Sequence, residues 1–252
     1  MGSLREDSRP HQTHVFDGLL FDFDGTIVDS TAGCYCETLA KVRDTFVLIV
    51  SSFSRGSRLG LEIGVDPAVI LATSHGRRSI DVLKIYAPEK ASWEYVSTAE
   101  ARIPREYGSD AIEIPGARSV LDALNDVGAP WAVVTSGTRM LFDGWLDVLK
   151  LSRPTHVVVA EDVEFGKPHP RCYQLGRSRL GFDDKATMLV IEDAPSGVRA
   201  GKAAGCKVLG LATTHESAQL QAAGADWIIQ DLRDFKFTRN HDHIEVEIQN
   251  LL

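Results

Sequence analysis

The stretch LLFDFDGT, residues 19–26, decides the fold class. An apolar run ends there in two aspartates, Asp22 and Asp24, with Gly25 and Thr26 directly behind. A continuous apolar run that stops at turn residues suits a strand buried on both faces, the habit of parallel sheets. Side chains two residues apart in a strand share a face, so the spacing predicts that both carboxylates point at one spot. Like charges at close range repel and raise at least one pKa unless a cation lies between them.

Working outward, the same pattern recurs. GLLFDFD (18–24), WAVVTSG (131–137), HVVVAED (156–162), MLVIEDA (188–194) and KVLGLAT (207–213) are apolar runs ending in small or polar residues, and DWIIQD (226–231) is a weaker one. Helical text separates them in ARSVLDALNDVG (117–128), PRCYQLGRSRLG (170–181) and SGVRAGKAAGC (196–206). Strands alternating with helices predict a doubly wound, Rossmann-like parallel α/β sheet, with its ligand site beyond the carboxyl ends of the strands. Between the first two core strands, residues 31–112 read mostly as helix, including SHGRRSIDVLKIYAP and SWEYVSTAEARIPREYG. A loop of that length inside a compact core is implausible, so an inserted helical cap is expected. The core then comprises 15–30 and 113–238, preceded by a disordered lead (1–14) and followed by a tail (239–252). The H-x-H of HDHIE (241–245) reads as solvated tail rather than a metal site.

With 252 residues, 44% of them hydrophobic, the chain can bury one large core. The formal net charge of −8 argues against nucleic acid as a partner, which requires a basic footprint. Four scattered cysteines, Cys34, Cys36, Cys172 and Cys206, do not make a disulfide framework, and C-x-C lacks zinc-site spacing. The polar opening MGSLREDSRPHQTH has no apolar signal core, and the run TFVLIVSSF (45–53) is too short to span a membrane. A cytoplasmic location with no membrane partner is the expectation.

The strand ends carry the chemistry. Asp22 and Asp24 close the first strand, Thr135, Ser136 and Gly137 the next, and Glu192 and Asp193 another, while Lys167 lies in GKPHP (166–170). Carboxylates for a hard cation, a nucleophile, a hydroxyl and an ammonium make up the equipment of phosphoryl transfer. Each motif alone has a plainer reading: a solvated strand end, a helix N-cap at Ser136, a loop lysine. Four in order at strand ends do not. Trp93, Trp131, Trp145 and Trp227 sit in apolar text and read as packing residues.

The set DFDGT, VVTSG, GKP and VIEDAPSG resembles the four motifs of haloacid dehalogenase-type phosphatases. SHGRRSIDVL, IPREYGSDAIEIPGA, WAVVTSGTR, GKPHP and IEDAPSGVRAGKAAGC are similar to the fungal group of glycerol-3-phosphate and 2-deoxyglucose-6-phosphate phosphatases. The resemblance implies that Asp22 is the nucleophile and forms an aspartyl-phosphate, and that Asp24 is the general acid and base. It implies a Mg²⁺ ion held by the Asp22 carboxylate, the Asp24 carbonyl and Asp193, with Glu192 helping through water. Mg²⁺ takes oxygen ligands and keeps several waters, so few protein ligands suffice. Thr26, Ser136, Gly137 and Lys167 would hold the phosphate, with Thr135 competing for the hydroxyl role, and Arg78 would reach the substrate from the cap. The implied substrate is a small phosphorylated polyol or sugar. A sugar phosphomutase, or a non-catalytic binding protein, on the same core is the alternative. One departure stands out: KVRDTFVLIVSSFSRGSRLGLEIGVDP (41–67) is longer than the resemblance leads one to expect by roughly seventeen residues. Residues 42–58 are expected to be either a cap insertion or a translated intron.

Overall fold

The computed structural model describes residues 12–29, 76–109 and 111–252. The 42–58 segment, Cys34 and Cys36 lie outside the described residues. The chain enters through β1 (Gln12–Phe16) and β2 (Gly18–Phe21) and then forms β3 (Val28–Asp29). Its described cap helices are α1 (Ser79–Tyr86), α2 (Trp93–Ala101) and α3 (Ile103–Tyr107). The chain returns through β4 (Ile112–Glu113), which pairs antiparallel with β3, so exit and re-entry run side by side.

The core continues through α4 (Ala117–Asp126), β5 (Trp131–Val134), α5 (Arg139–Leu149), β6 (Val157–Val158) and α6 (Arg171–Arg179). It then runs through β7 (Met188–Glu192), α7 (Pro195–Ala203), β8 (Lys207–Leu211), α8 (Ser217–Ala223) and β9 (Trp227–Ile229). Six of these strands form one parallel sheet in the order β6-β5-β2-β7-β8-β9. The strand reading from sequence therefore holds at every run. Along each strand the side chains alternate between two buried layers. Leu19, Phe21, Trp131, Val133, Leu189 and Ile191 belong to one, together with apolar residues of α4, α5 and the cap. Leu20, Ala132, Val134, Met188 and Val190 belong to the other, beneath α6, α7 and α8. Burial on both faces is why the strands read as unbroken apolar runs. No helix among the described residues is long and apolar enough to cross a membrane.

The ends of the chain differ from expectation. β10 (Phe235–Asn240) and β11 (His243–Ile248) form a hairpin, and β1 pairs with β11 on its other side, making a three-stranded antiparallel sheet. Residues 12–14 are thus strand rather than disordered lead, and most of 239–252 is structured rather than solvated tail. The reason is a period of two in HIEVEI. Ile244, Val246 and Ile248 are fully buried in the layer that holds Phe21, while His243, Glu245 and Glu247 alternate with them. Trp131 and Trp145 are buried as expected, and Trp93 and Trp227 are partly buried against the same layer.

Candidate active site

The carboxyl ends of β2, β5 and β7 lie side by side at the centre of the sheet, where strand order reverses. Asp22 follows β2, and its N–H continues the ladder by donating to the Ile191 carbonyl at 2.9 Å. The chain then turns tightly. The Phe23 carbonyl accepts from the N–H groups of Ile27 and Val28 at 2.8 and 3.0 Å, and Gly25 N–H donates to Val28 O at 2.7 Å. Gly25 has φ 86°, and a Cβ there would lie 2.2 Å from Asp193 Oδ2, so the turn requires glycine both for its backbone and for the approach of Asp193.

Lys167 anchors the floor. Its ammonium donates to Asp22 Oδ1, to Glu192 Oε1 at 2.7 Å and to the Val134 carbonyl at 3.1 Å, which uses all three N–H bonds. Glu192 is completely buried and just as fully engaged. Its Oε1 also accepts from Tyr173 Oη at 2.9 Å, and its Oε2 accepts the N–H groups of Asp193 and Ala194 at 3.0 and 2.9 Å. Asp193 accepts from Thr26 Oγ1 at 3.4 Å and from Thr214 Oγ1.

One oxygen from each of Asp22, Glu192 and Asp193 lies within 4.8 Å of the others. Burial pushes the Asp22 carboxyl well above its ordinary range; Lys167 opposes this, while Glu192 and Asp193 add to it. Burial alone would lower Lys167, but Asp22 and Glu192 outweigh it and hold the ammonium charged. Three buried acids against one base leave a surplus of negative charge among oxygen donors, which fits a hard divalent cation. Asp22 and Asp193 are the carboxylates suited to hold it, since Glu192 already accepts four hydrogen bonds.

The predicted residues separate into groups. Asp22, Lys167, Glu192, Asp193 and Thr26 come together. The Asp24 carboxylate is not a member of the three-acid group; its charge instead reaches the cap carboxylate Glu100. The Ser136 hydroxyl donates to the Gly76 carbonyl of the cap at 2.9 Å, whereas Thr135 Oγ1 accepts the Gly137 N–H at 2.9 Å from a buried position. Arg78 departs from its expected role. Its guanidinium is 3% exposed, and all five N–H bonds are taken. Two go to Asp81 (2.7 and 2.9 Å) and three to the carbonyls of Ala160, Val163 and Glu164 (3.2, 2.5 and 2.8 Å). It therefore pins the cap to a core loop and has no N–H left for substrate.

Sequence reasoning missed Tyr173, Thr214 and Glu100. Tyr173 and Thr214 carry no local signal. Glu100 sits in helical text that gave no reason to expect burial, yet it is 2% exposed, and burial pushes its carboxyl up to about 7, with Asp24 adding to the rise.

A sequence profile of haloacid dehalogenase-like hydrolases matches residues 19–211. Over 245 residues the chain is 37% identical to glycerol-1-phosphate phosphohydrolase 1 of Saccharomyces cerevisiae, covering 92% of this chain and 90% of that one. It is 31% identical over 256 residues to 2-deoxyglucose-6-phosphate phosphatase 1 of the same yeast, covering 94% and 96%. Among solved structures, a hydrolase from Pseudomonas syringae superposes with a TM-score of 0.64 at 22% identity, over 85% of this chain and 94% of that one. With the profile spanning the Asp22–Gly25 turn, Lys167 and the Glu192–Asp193 pair alike, the chain belongs to the haloacid dehalogenase-like hydrolases.

Proposed function

We propose that this protein is a phosphoric monoester hydrolase acting on a small phosphorylated polyol or sugar. The observation that carries the reading is the convergence of Asp22, Lys167, Glu192 and Asp193 at the ends of adjacent strands, in a chain whose relatives are named for glycerol phosphate and deoxyglucose phosphate hydrolysis. Asp22 attacks phosphorus and carries the phosphoryl group as an aspartyl-phosphate. Lys167 opposes the rise that burial gives the attacking carboxyl and holds it in place by a hydrogen bond, and Glu192 holds Lys167. Asp24, on the turn beneath the cap, gives its proton to the departing alcohol and takes one from the water that hydrolyses the intermediate. Thr26 orients Asp193. Thr135 suits the hydroxyl role better than Ser136, because its oxygen accepts a bond and its proton remains to be given, while the Ser136 proton goes to Gly76. The Gly137 N–H is used on Thr135, so Gly137 serves by shaping this loop. Asp22, the Asp24 carbonyl and Asp193 are the groups that would hold a Mg²⁺ ion, whose charge would be available to neutralise phosphoryl oxygens.

The test is phosphate release from a panel of glycerol phosphates and hexose and deoxyhexose 6-phosphates, with Mg²⁺ and after exhaustive chelation. Turnover should require the metal and vanish in Asp22→Asn, whose amide is a poor nucleophile. Full turnover in chelator would remove the metal assignment. Sugar phosphate isomer formation without release of phosphate would replace hydrolysis by mutase chemistry.

A further inference from the structure

The loop Thr135–Thr138 leads from β5 into α5, and the cap holds it. The Thr138 N–H donates at 2.8 Å to Glu100, a carboxylate of the cap helix α2. Within the cap, Glu100 also accepts from the hydroxyl of Ser79, the first residue of α1. Thr138 is itself the N-cap of α5, its Oγ1 accepting the Leu141 N–H at 3.4 Å. On the other side of the loop Ser136 is tied to Gly76, and the Gly137 carbonyl accepts the Ala160 N–H at 2.9 Å. The Ala160 carbonyl in turn is held by Arg78. Among the described residues of the cap, buried Arg78 and Glu100 thus reach main-chain groups of the core rather than opposite charges of the core. A buried carboxylate is rarely retained without its donors, and here the donors belong to two different units of the fold.

We propose that Glu100 is a positioning residue: by accepting the Thr138 N–H from within the cap, it sets the loop that carries Thr135 in its phosphate-binding geometry. This makes phosphate binding on the core depend on a docked cap, with Arg78 bracing the same loop through Ala160. The loop's task rests on the phosphatase reading, but the hydrogen bond does not.

The experiment compares Glu100→Ala and Glu100→Gln in the full chain, by amide hydrogen exchange and by kinetics on p-nitrophenyl phosphate with inorganic phosphate as inhibitor. Glutamine keeps an acceptor for Thr138 and can donate to the Ser79 hydroxyl. In Glu100→Ala the Thr138 amide should exchange at least about tenfold faster while the Val133 and Ile191 amides stay protected. KM and the phosphate inhibition constant should rise together, on the order of ten- to a hundredfold, with kcat moving less. Glu100→Gln should restore most of both. An unchanged Thr138 amide in Glu100→Ala, or a glutamine variant as impaired as alanine, overturns the proposal. If the alanine variant does not fold, Glu100→Asp takes its place, one methylene too short to hold both partners. Wild-type phosphate inhibition and Thr138 protection in that variant would equally overturn it. Should the wild-type chain hydrolyse no ester, the functional reading fails on its own, and the exchange measurements still decide the role of Glu100.

Discussion

Replacing Gly197 by alanine should do the opposite of what helix propensity predicts. Gly197 lies in the first turn of α7, where alanine normally gains about 1 kcal/mol over glycine. A Cβ at this position, however, would lie 1.5 Å from Glu192 Oε1 and 2.0 Å from Cδ. Neither is a flexible far end that can swing aside, because both Glu192 oxygens are fixed by Lys167, Tyr173 and two backbone N–H groups. The carboxylate has to leave, and Lys167 is then a buried ammonium short of one partner. Breaking a buried pair in this way costs about 3–5 kcal/mol. Set against the propensity gain, the net loss is roughly 2–4 kcal/mol, which for a chain of this size lowers Tm by roughly 5–15 °C. Thermal unfolding and phosphate release on the same preparations measure both consequences, and activity should fall with Lys167 misplaced against Asp22. The decisive comparison is Glu192→Ala alone and combined with Gly197→Ala. If the clash acts through Glu192, adding the glycine substitution should cost almost nothing further. A Gly197→Ala protein as stable and active as wild type, or fully additive losses in the double variant, would refute the reasoning.

Two further outcomes are expected. Asp24→Asn should slow hydrolysis of a sugar or polyol phosphate by about 10²–10⁴-fold, the usual worth of a general acid and base; a nitrophenyl ester, whose leaving group needs little protonation, should recover part of its first step in burst kinetics. Thr135→Val should impair phosphate inhibition far more than Ser136→Ala does, since the serine hydroxyl is engaged with Gly76; the reverse order in inhibition constants would return the phosphate role to Ser136.

The sequence by itself determined the parallel sheet and which acidic and basic residues end its central strands. Strands such as Met188–Glu192 are buried on both faces, so they appear as unbroken apolar runs, and period and length alone identify them. Asp22, Lys167, Glu192 and Asp193 were legible because each stands at the end of such a run or in the turn after it. Their meeting follows from strand order in a doubly wound sheet. The hairpin Phe235–Ile248 was also written there, in the alternation of HIEVEI, but two histidines and an aspartate at its turn hid it behind the look of a polar tail. What only the tertiary structure decided is the use of each polar atom. A side chain has a fixed number of donors and acceptors, and which of them remain for a ligand depends on neighbours distant in the chain. Arg78 meets carbonyls 82 to 86 residues away, and Glu100 meets an N–H 38 residues away. Local text cannot foresee those partners, which is why an arginine expected at the substrate proves to be an anchor, and a glutamate that drew no notice proves to hold the loop.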